Sequence, residues 1–334
     1  MKTAIIENNK LKIIEKETIE LTQKGAIVKV LGCGLCGSDI VKLKSSNNEG
    51  LVLGHEVVGI ITQINSNVDF QVGDKIVLGH HVPCFECQYC WGESYSMCKT
   101  FKKTNIIPGG FSEFIFVSEL HLNNTVFKVS SNLNDDEIAF LEPLACCIRA
   151  VKRARLHLNS SVLIIGLGSI GLLMGQCAKA LGYKAYGCDL IPERVELAKK
   201  LGFEESFLFK NNENTSQLIK SKISEIGVDA VFMTAGADKT IDFALSAVRD
   251  GGTIVIFASI KSDLGYKNND IYYRELKILG SYSPSPMDLE NSLELLESRK
   301  INVNGLSSIY EFNEINKAID DTISNKIIKA YIKL

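Results

Sequence analysis

The sequence predicts an α/β chain of two domains, a β-rich, barrel-like domain followed by a doubly wound parallel sheet. Three observations carry this. At 334 residues the chain exceeds what a single hydrophobic core usually organises. Up to about residue 130 it consists of short β-branched runs separated by glycine and asparagine. From Ser161 onward, continuous apolar runs alternate with helical segments, as in a sheet buried on both faces.

Taken in order, Ala26–Val30, Val57–Ile61 and Asp74–Leu78 read as strands of the first domain. Pro108-Gly109-Gly110-Phe111 reads as a turn into a strand at Phe114–Val117, with Phe111 a candidate for either core or pocket. Val162–Ile165 is the first buried strand of the second domain, followed by a helix to Leu181. Further strands are expected at Lys184–Cys188, Asp229–Thr234, Thr253–Ala258 and Leu276–Leu279, and helices at Pro192–Leu201 and Lys239–Val248. Asp288–Arg299 is amphipathic and helical, and Ile327–Leu334 is strand-like. Boundaries are expected near residues 148 and 285.

Charge is nearly balanced, with 37 basic and 39 acidic side chains, so no global field points to nucleic acid, membrane lipid or a polyanionic partner. The N-terminus lacks an apolar segment with a small-residue cleavage site. The longest apolar stretch, Val162–Gly175, contains four glycines and is too short to span a bilayer. A cytoplasmic protein is expected.

Four of the ten cysteines, Cys84, Cys87, Cys90 and Cys98, fall within fifteen residues. Such crowding points to a metal rather than to disulfides. Two-residue gaps let a tight turn bring successive sulfurs to one zinc at about 2.3 Å, and four thiolates leave no open position. This lobe, residues 84–98, therefore reads as a structural zinc site bracing a segment with little apolar content. An iron–sulfur cluster and unligated thiols are the rivals, and no redox partner motif flanks it.

Gly166-Leu-Gly168-Ser169-Ile170-Gly171 follows the buried strand and opens a helix, and Asp189 ends the next strand 18 residues after Gly171. In this context the glycines permit a tight turn and let backbone N–H groups reach a pyrophosphate at the helix N-terminus. Asp189 can accept from ribose hydroxyls, and its charge opposes a 2′-phosphate, which favours NAD over NADP. Arg194 would partly offset that repulsion.

Three separated segments carry further metal-ligand residue types: Cys36 in Gly34-Leu-Cys-Gly-Ser-Asp39, His55-Glu56 after Gly54, and Glu142 in Leu141-Glu-Pro-Leu144. Alone, each has an ordinary reading, as a buried thiol, a turn histidine and a carboxylate at a helix N-terminus.

The ordered set of G-L-C-G-S-D, G-H-E-x-x-G, the four cysteines, E-P-L-A and G-x-G-x-x-G resembles, over the whole chain, the zinc-containing medium-chain dehydrogenases, sorbitol and polyol branch. The resemblance implies a GroES-like catalytic domain, residues 1–147 and 286–334, interrupted by a Rossmann NAD domain, residues 148–285. It also implies two zinc ions per chain, and for the catalytic one the ligands Cys36, His55 and Glu142. Glu56 is implied as a carboxylate that binds directly or swings in, and Cys146 is a rival to Glu142. Asp39 is implied to orient the ligand histidine, and Ser38 to take the substrate proton. Lys329 matches a basic position that meets the cofactor pyrophosphate. Two departures stand out. Asn65 replaces a glycine, a change that a left-handed backbone would tolerate. Val41 stands where many relatives carry a proton-relaying histidine.

The implied activity is zinc-dependent hydride transfer between NAD and a secondary hydroxyl of a polyol, sugar alcohol or cyclitol, phosphorylated or not. A simple secondary-alcohol dehydrogenase and a non-catalytic dinucleotide-binding sensor are the alternatives. Lys99, Lys102 and Lys103 read as a solvated basic loop or as holders of a substrate phosphate. A homodimer or homotetramer is expected, paired through an edge strand at Thr253–Ala258.

Overall fold

The computed structural model describes residues 1–129, 133–209, 214–236, 240–259 and 268–334. In chain order the strands are β1 (Lys2–Glu7), β2 (Lys10–Glu15), β3 (Gly25–Gly34), β4 (Glu56–Ile64), β5 (Lys75–Leu78), β6 (Phe114–Ser118) and β7 (Val126–Lys128). They continue as β8 (Ser161–Ile165), β9 (Lys184–Asp189), β10 (Glu205–Leu208), β11 (Val228–Met233), β12 (Val248–Ile256), β13 (Lys277–Gly280), β14 (Ser307–Glu311) and β15 (Lys329–Lys333).

The chain divides into two compact units. One is Met1–Ala145 with Ser285–Ser298 and Val303–Leu334; the other is Cys146–Pro284 with Arg299–Asn302. Against the boundaries expected from sequence, Cys146 and Cys147 fall in the second unit and Ser285 in the first. Arg299–Asn302 also joins the second unit. The Gln176 side chain holds the Asn302 backbone in both directions there, donating to its carbonyl at 3.1 Å and accepting from its N–H at 2.8 Å.

In the first unit, β1 and β2 form an antiparallel ribbon, and the main sheet runs β14-β15-β3-β4-β5-β7, with β6 also paired to β3. All pairings in that sheet are antiparallel except β14 with β15. β-branched side chains stay stiff on a pleated strand and pack well across it. Accordingly Val28, Val30, Val57, Ile61, Ile76, Ile115 and Val117 are buried in one core. Phe111 is fully buried in it, which makes it core and not pocket. Asn65 does not take a left-handed backbone. Its Oδ1 instead accepts from the Gly25 N–H at 2.9 Å, so the side chain fastens the end of β4 to β3.

The second unit is a six-stranded, all-parallel sheet in the order β10-β9-β8-β11-β12-β13. Renumbered from its first strand this is 3-2-1-4-5-6, the doubly wound dinucleotide-binding order. β8 and β11 are buried almost throughout, as strands covered on both faces must be. One expectation fails here. Thr253–Ile256 is interior, because Lys277–Gly280 pairs alongside it in parallel, so among the described residues β13 and β10 form the edges. The expected helix from Lys239 starts outside the described residues; the described helix is Thr240–Ala247. Among the described residues, no helix is long and apolar enough to cross a membrane.

Candidate active site and metal centres

Cys36 precedes the short helix Gly37–Leu43, and His55 sits in the loop entering β4. One side chain fastens these segments together. Asp39, fully buried in the helix, accepts from the Cys36 N–H at 3.1 Å and from the Gly54 N–H at 3.4 Å. Its Oδ1 also lies 3.4 Å from His55 Nδ1. Burial opposes charge on Asp39, but His55 and the two N–H donors hold its carboxyl below the usual range. Burial likewise opposes a charged His55, but Asp39 and Cys36 hold its pKa well above the usual value. With Asp39 on Nδ1, the imidazole is locked in orientation and its other nitrogen is left for a ligand role.

Cys36 Sγ, a His55 ring nitrogen and a Glu56 carboxylate oxygen lie within 4.8 Å of one another. Thiolate, oriented imidazole and carboxylate form a donor set that fits zinc. Glu142 is buried in the first turn of the helix Leu141–Arg153, whose start is held by Ser292 donating to the Leu141 carbonyl at 2.8 Å. Glu142 is not in the three-residue group, but its charge acts on Lys329 together with those of Glu56 and Cys36.

Lys329, expected at the cofactor pyrophosphate, is buried with its Nζ 2.6 Å from Glu56 Oε1 and 2.5 Å from Oε2. Burial works against its charge, but Glu56, Cys36 and Glu142 hold its pKa above the usual lysine value. Glu56 therefore meets the Lys329 ammonium while a carboxylate oxygen of it lies within 4.8 Å of the Cys36 and His55 donor atoms. Nothing in the sequence announces this pair, whose members stand 273 residues apart.

The four lobe cysteines also converge. Cys87–Cys90, Cys84–Cys98 and Cys84–Cys90 sulfurs are 3.6, 3.5 and 4.0 Å apart. A tetrahedron with metal–sulfur bonds of about 2.3 Å has edges of roughly 3.8 Å, so these spacings fit zinc. Burial disfavours a Cys98 thiolate, but N–H donors from Cys84, Phe101 and Thr100 outweigh it and bring the thiol down to about 6. Lys99, Lys102 and Lys103 stand exposed just beyond the lobe, on the short helix Lys99–Lys103.

In the second unit the glycine loop joins β8 to the helix Ser169–Ala180. A Cβ on Gly171 would meet the Gly166 carbonyl oxygen at 1.8 Å, whereas one on Gly168 would meet nothing nearer than Arg194 at 3.9 Å. The first contact forces the tight turn, and the second leaves room for a ligand against the backbone. Gly168 caps the helix without any side-chain bond, so the helix N-terminus keeps N–H groups for an anion. Asp189 accepts from the Leu167 and Ile191 N–H groups at 2.6 and 2.9 Å, which aims its carboxylate beside that loop. Arg194 lies 3.9 Å from it. Ser169 and Ile170 are half-buried in the first turn of that helix, and Ser38 is exposed in the first turn of Gly37–Leu43.

Sequence reasoning passed over His80 and His81, although an adjacent histidine pair after β5 was a visible signal. The His55–His80 and His80–His81 ring centroids are 4.6 and 4.0 Å apart. His121 Nε2 donates to the His80 carbonyl at 3.0 Å. Burial, then the bases His55, His81, Lys42 and His121, push the His80 pKa well down.

The alcohol dehydrogenase GroES-like domain profile matches residues 22–129, and that of the zinc-binding dehydrogenases matches residues 169–298. Sorbitol dehydrogenase of Bacillus subtilis (strain 168) is 31% identical over 267 residues, covering 77% of this chain and 74% of that enzyme. Galactitol 1-phosphate 5-dehydrogenase of Escherichia coli (strain K12) is 30% identical over 313 residues, 89% of each. A crystal structure of galactitol-1-phosphate dehydrogenase from Escherichia coli superposes with a TM-score of 0.87, at 28% identity over 100% of both chains. Full-length similarity of this kind, on a chain whose two cysteine-bearing donor sets each fit zinc and whose parallel sheet carries a dinucleotide loop, makes this protein a member of the zinc-binding alcohol dehydrogenase family, a zinc- and nicotinamide-dependent oxidoreductase.

Proposed function

We propose that the protein transfers hydride between NAD and a secondary hydroxyl of a polyol, with Cys36, His55 and Glu142 as catalytic zinc ligands. Cys84, Cys87, Cys90 and Cys98 hold a second, structural zinc. The observation that carries this reading is the convergence of Cys36, His55 and Glu56, with Asp39 on the far nitrogen of the imidazole. The polyol class is supported by the substrates named for the sorbitol and galactitol-phosphate enzymes.

When bound, zinc supplies a Lewis acid that lowers the pKa of a substrate hydroxyl, and NAD supplies the hydride acceptor. The chain's own residues do the rest. Asp39 holds His55 in the tautomer that offers Nε2, and the Cys36 thiolate brings negative charge to the site. Lys329 balances Glu56, leaving Glu142 as the carboxylate for the metal. Ser38, exposed one residue before Asp39, takes the hydroxyl proton. Val41, 58% exposed on the same helix, carries no titratable group to pass it on, so the proton leaves through ribose hydroxyls or water. Gly166, Gly168, Ser169, Ile170 and Gly171 hold the pyrophosphate by backbone N–H groups, and Asp189 holds the adenosine ribose. The enzyme works in the cytoplasm as a homo-oligomer.

Cys36→Ser should reduce turnover roughly a thousandfold or more, since several kcal/mol of Lewis-acid stabilisation is lost. NADH absorbance with a polyol panel checks the rate, and metal analysis should find one zinc in place of two. An active Cys36→Ser chain would falsify the assignment.

A further inference from the structure

A column of four rings runs from the proposed metal ligand His55 to the core of the four-cysteine lobe. Successive centroids, His55–His80, His80–His81 and His81–Phe101, are 4.6, 4.0 and 4.9 Å apart, close enough for each ring to pack on the next. The rings come from three separate segments of the first unit, and Phe101 is buried with Cys90 and Cys98. The two middle histidines are half-buried, and their segment is pinned along its length. The Gly79 carbonyl accepts from the Thr125 hydroxyl at 3.0 Å, and the His80 carbonyl from His121 Nε2 at 3.0 Å. His81 Nδ1 donates to the Thr104 carbonyl, and Thr104 Oγ1 accepts from the Val82 N–H at 2.9 Å. Asp39 holds the His55 imidazole along the bond at Nδ1, and the His80 ring, set at 45° to it, opposes tilting about that bond.

We propose that His80 and His81 are positioning residues for the metal ligand His55, and that through them the four-cysteine lobe holds the geometry of the Cys36–His55 site. This rests on the zinc reading above and adds to it what keeps the ligand in place. Outer partners that fix the orientation of a ligand raise metal affinity. Close-packed side chains pass a displacement on, because little free volume remains to absorb it. Loss of the Phe101 ring leaves His81 a void to lean into; His80 then loses its support, and His55 loses the ring that opposes its tilt. The lobe thereby serves the reaction although four thiolates on one ion leave no open position for a substrate.

The test exchanges cobalt(II) into the Cys36 site of the full chain, leaving zinc in the closed lobe. Cobalt(II) takes the nitrogen and sulfur donors that zinc takes and, unlike zinc, absorbs visible light. A Cys36→Ser chain identifies the band that belongs to this site, and the single tryptophan, Trp91, reports the folding of the lobe. Phe101→Ala should weaken cobalt binding at the Cys36 site roughly three- to tenfold, the scale of one ring contact, and shift its band. His80→Ala should do the same. The double variant should bind no more weakly than His80→Ala, because the column is already cut. His80→Phe, which restores a ring, should recover most of the affinity and the band position. Where Trp91 fluorescence and zinc content show that Phe101→Ala unfolds the lobe, His81→Ala takes its place, since it cuts the column outside the lobe. Additive losses in the double variant, a His80→Phe chain no better than His80→Ala, or a band unmoved by the cut overturns the column and leaves the zinc reading standing. A wild-type chain without a Cys36-dependent band overturns the zinc assignment and the column with it.

Discussion

At the scale of single residues, the buried Glu56–Lys329 pair is the sharpest feature outside the ligands themselves. Two charges removed from water are tolerated because each satisfies the other, and deleting one strands its partner. Lys329→Met should therefore destabilise the metal-stripped chain by about 3–5 kcal/mol in urea denaturation. Adding Glu56→Gln should recover much of that loss, because no bare charge then remains. A Lys329→Met chain as stable as the wild type would show that the pair is not balanced as the geometry states. Asp39 acts at the same scale, joining Cys36, Gly54 and His55 through one carboxylate. Its presence three residues after Cys36 was legible in the sequence, whereas the target of Lys329 was not, since strands β15 and β4 share a neighbour only once the sheet forms.

At the scale of elements, β8 and β11 are tied by Asp229, whose Oδ2 accepts from the Ser161 N–H and hydroxyl at 2.7 and 2.9 Å and whose Oδ1 accepts from Arg249 Nε at 2.8 Å. Partial burial opposes its charge, but Arg249 and Ser161 hold its carboxyl below the usual value. A depressed folded-state pKa contributes stability that is complete above the unfolded value near 3.9, about pH 4, and is lost as pH falls through the folded one. Asp229→Asn should accordingly melt lower than the wild type at pH 7, with the two melting curves converging as pH drops toward 2. A gap constant across that range would remove the linkage. The four-cysteine lobe makes a second case. Its buried cluster is only Cys90, Cys98 and Phe101, with Cys84, Cys87 and Tyr95 partly buried against it, too little to order a segment without metal. Cys98→Ser, or chelation of the wild type, should speed tryptic cleavage at Lys99, Lys102 and Lys103; cleavage at an unchanged rate would argue against a structural metal.

At the scale of the whole molecule, the proposed homo-oligomer would pair through whichever strand ends the parallel sheet. Among the described residues β13 leaves a row of unpaired backbone groups, with Ile278 and Leu279 half-buried along it. A charge there opposes pairing with another chain, so Leu279→Asp should lower the sedimentation coefficient from oligomer toward monomer. A substitution in interior β12 would act on folding instead.

Local pattern alone marked both architectures, the glycine loop and the four-cysteine lobe, because each is written in contiguous residues with a fixed period or spacing. Continuous apolar runs announce strands covered on both faces, and two-residue gaps between thiols bring them to one point whatever the rest of the chain does. The partner of Lys329, the edge of the sheet and the stacking of His80 on His55 depended on folding, since they join residues from strands and loops remote in the chain. No local periodicity records a contact of that kind; only the order in which strands pair creates it.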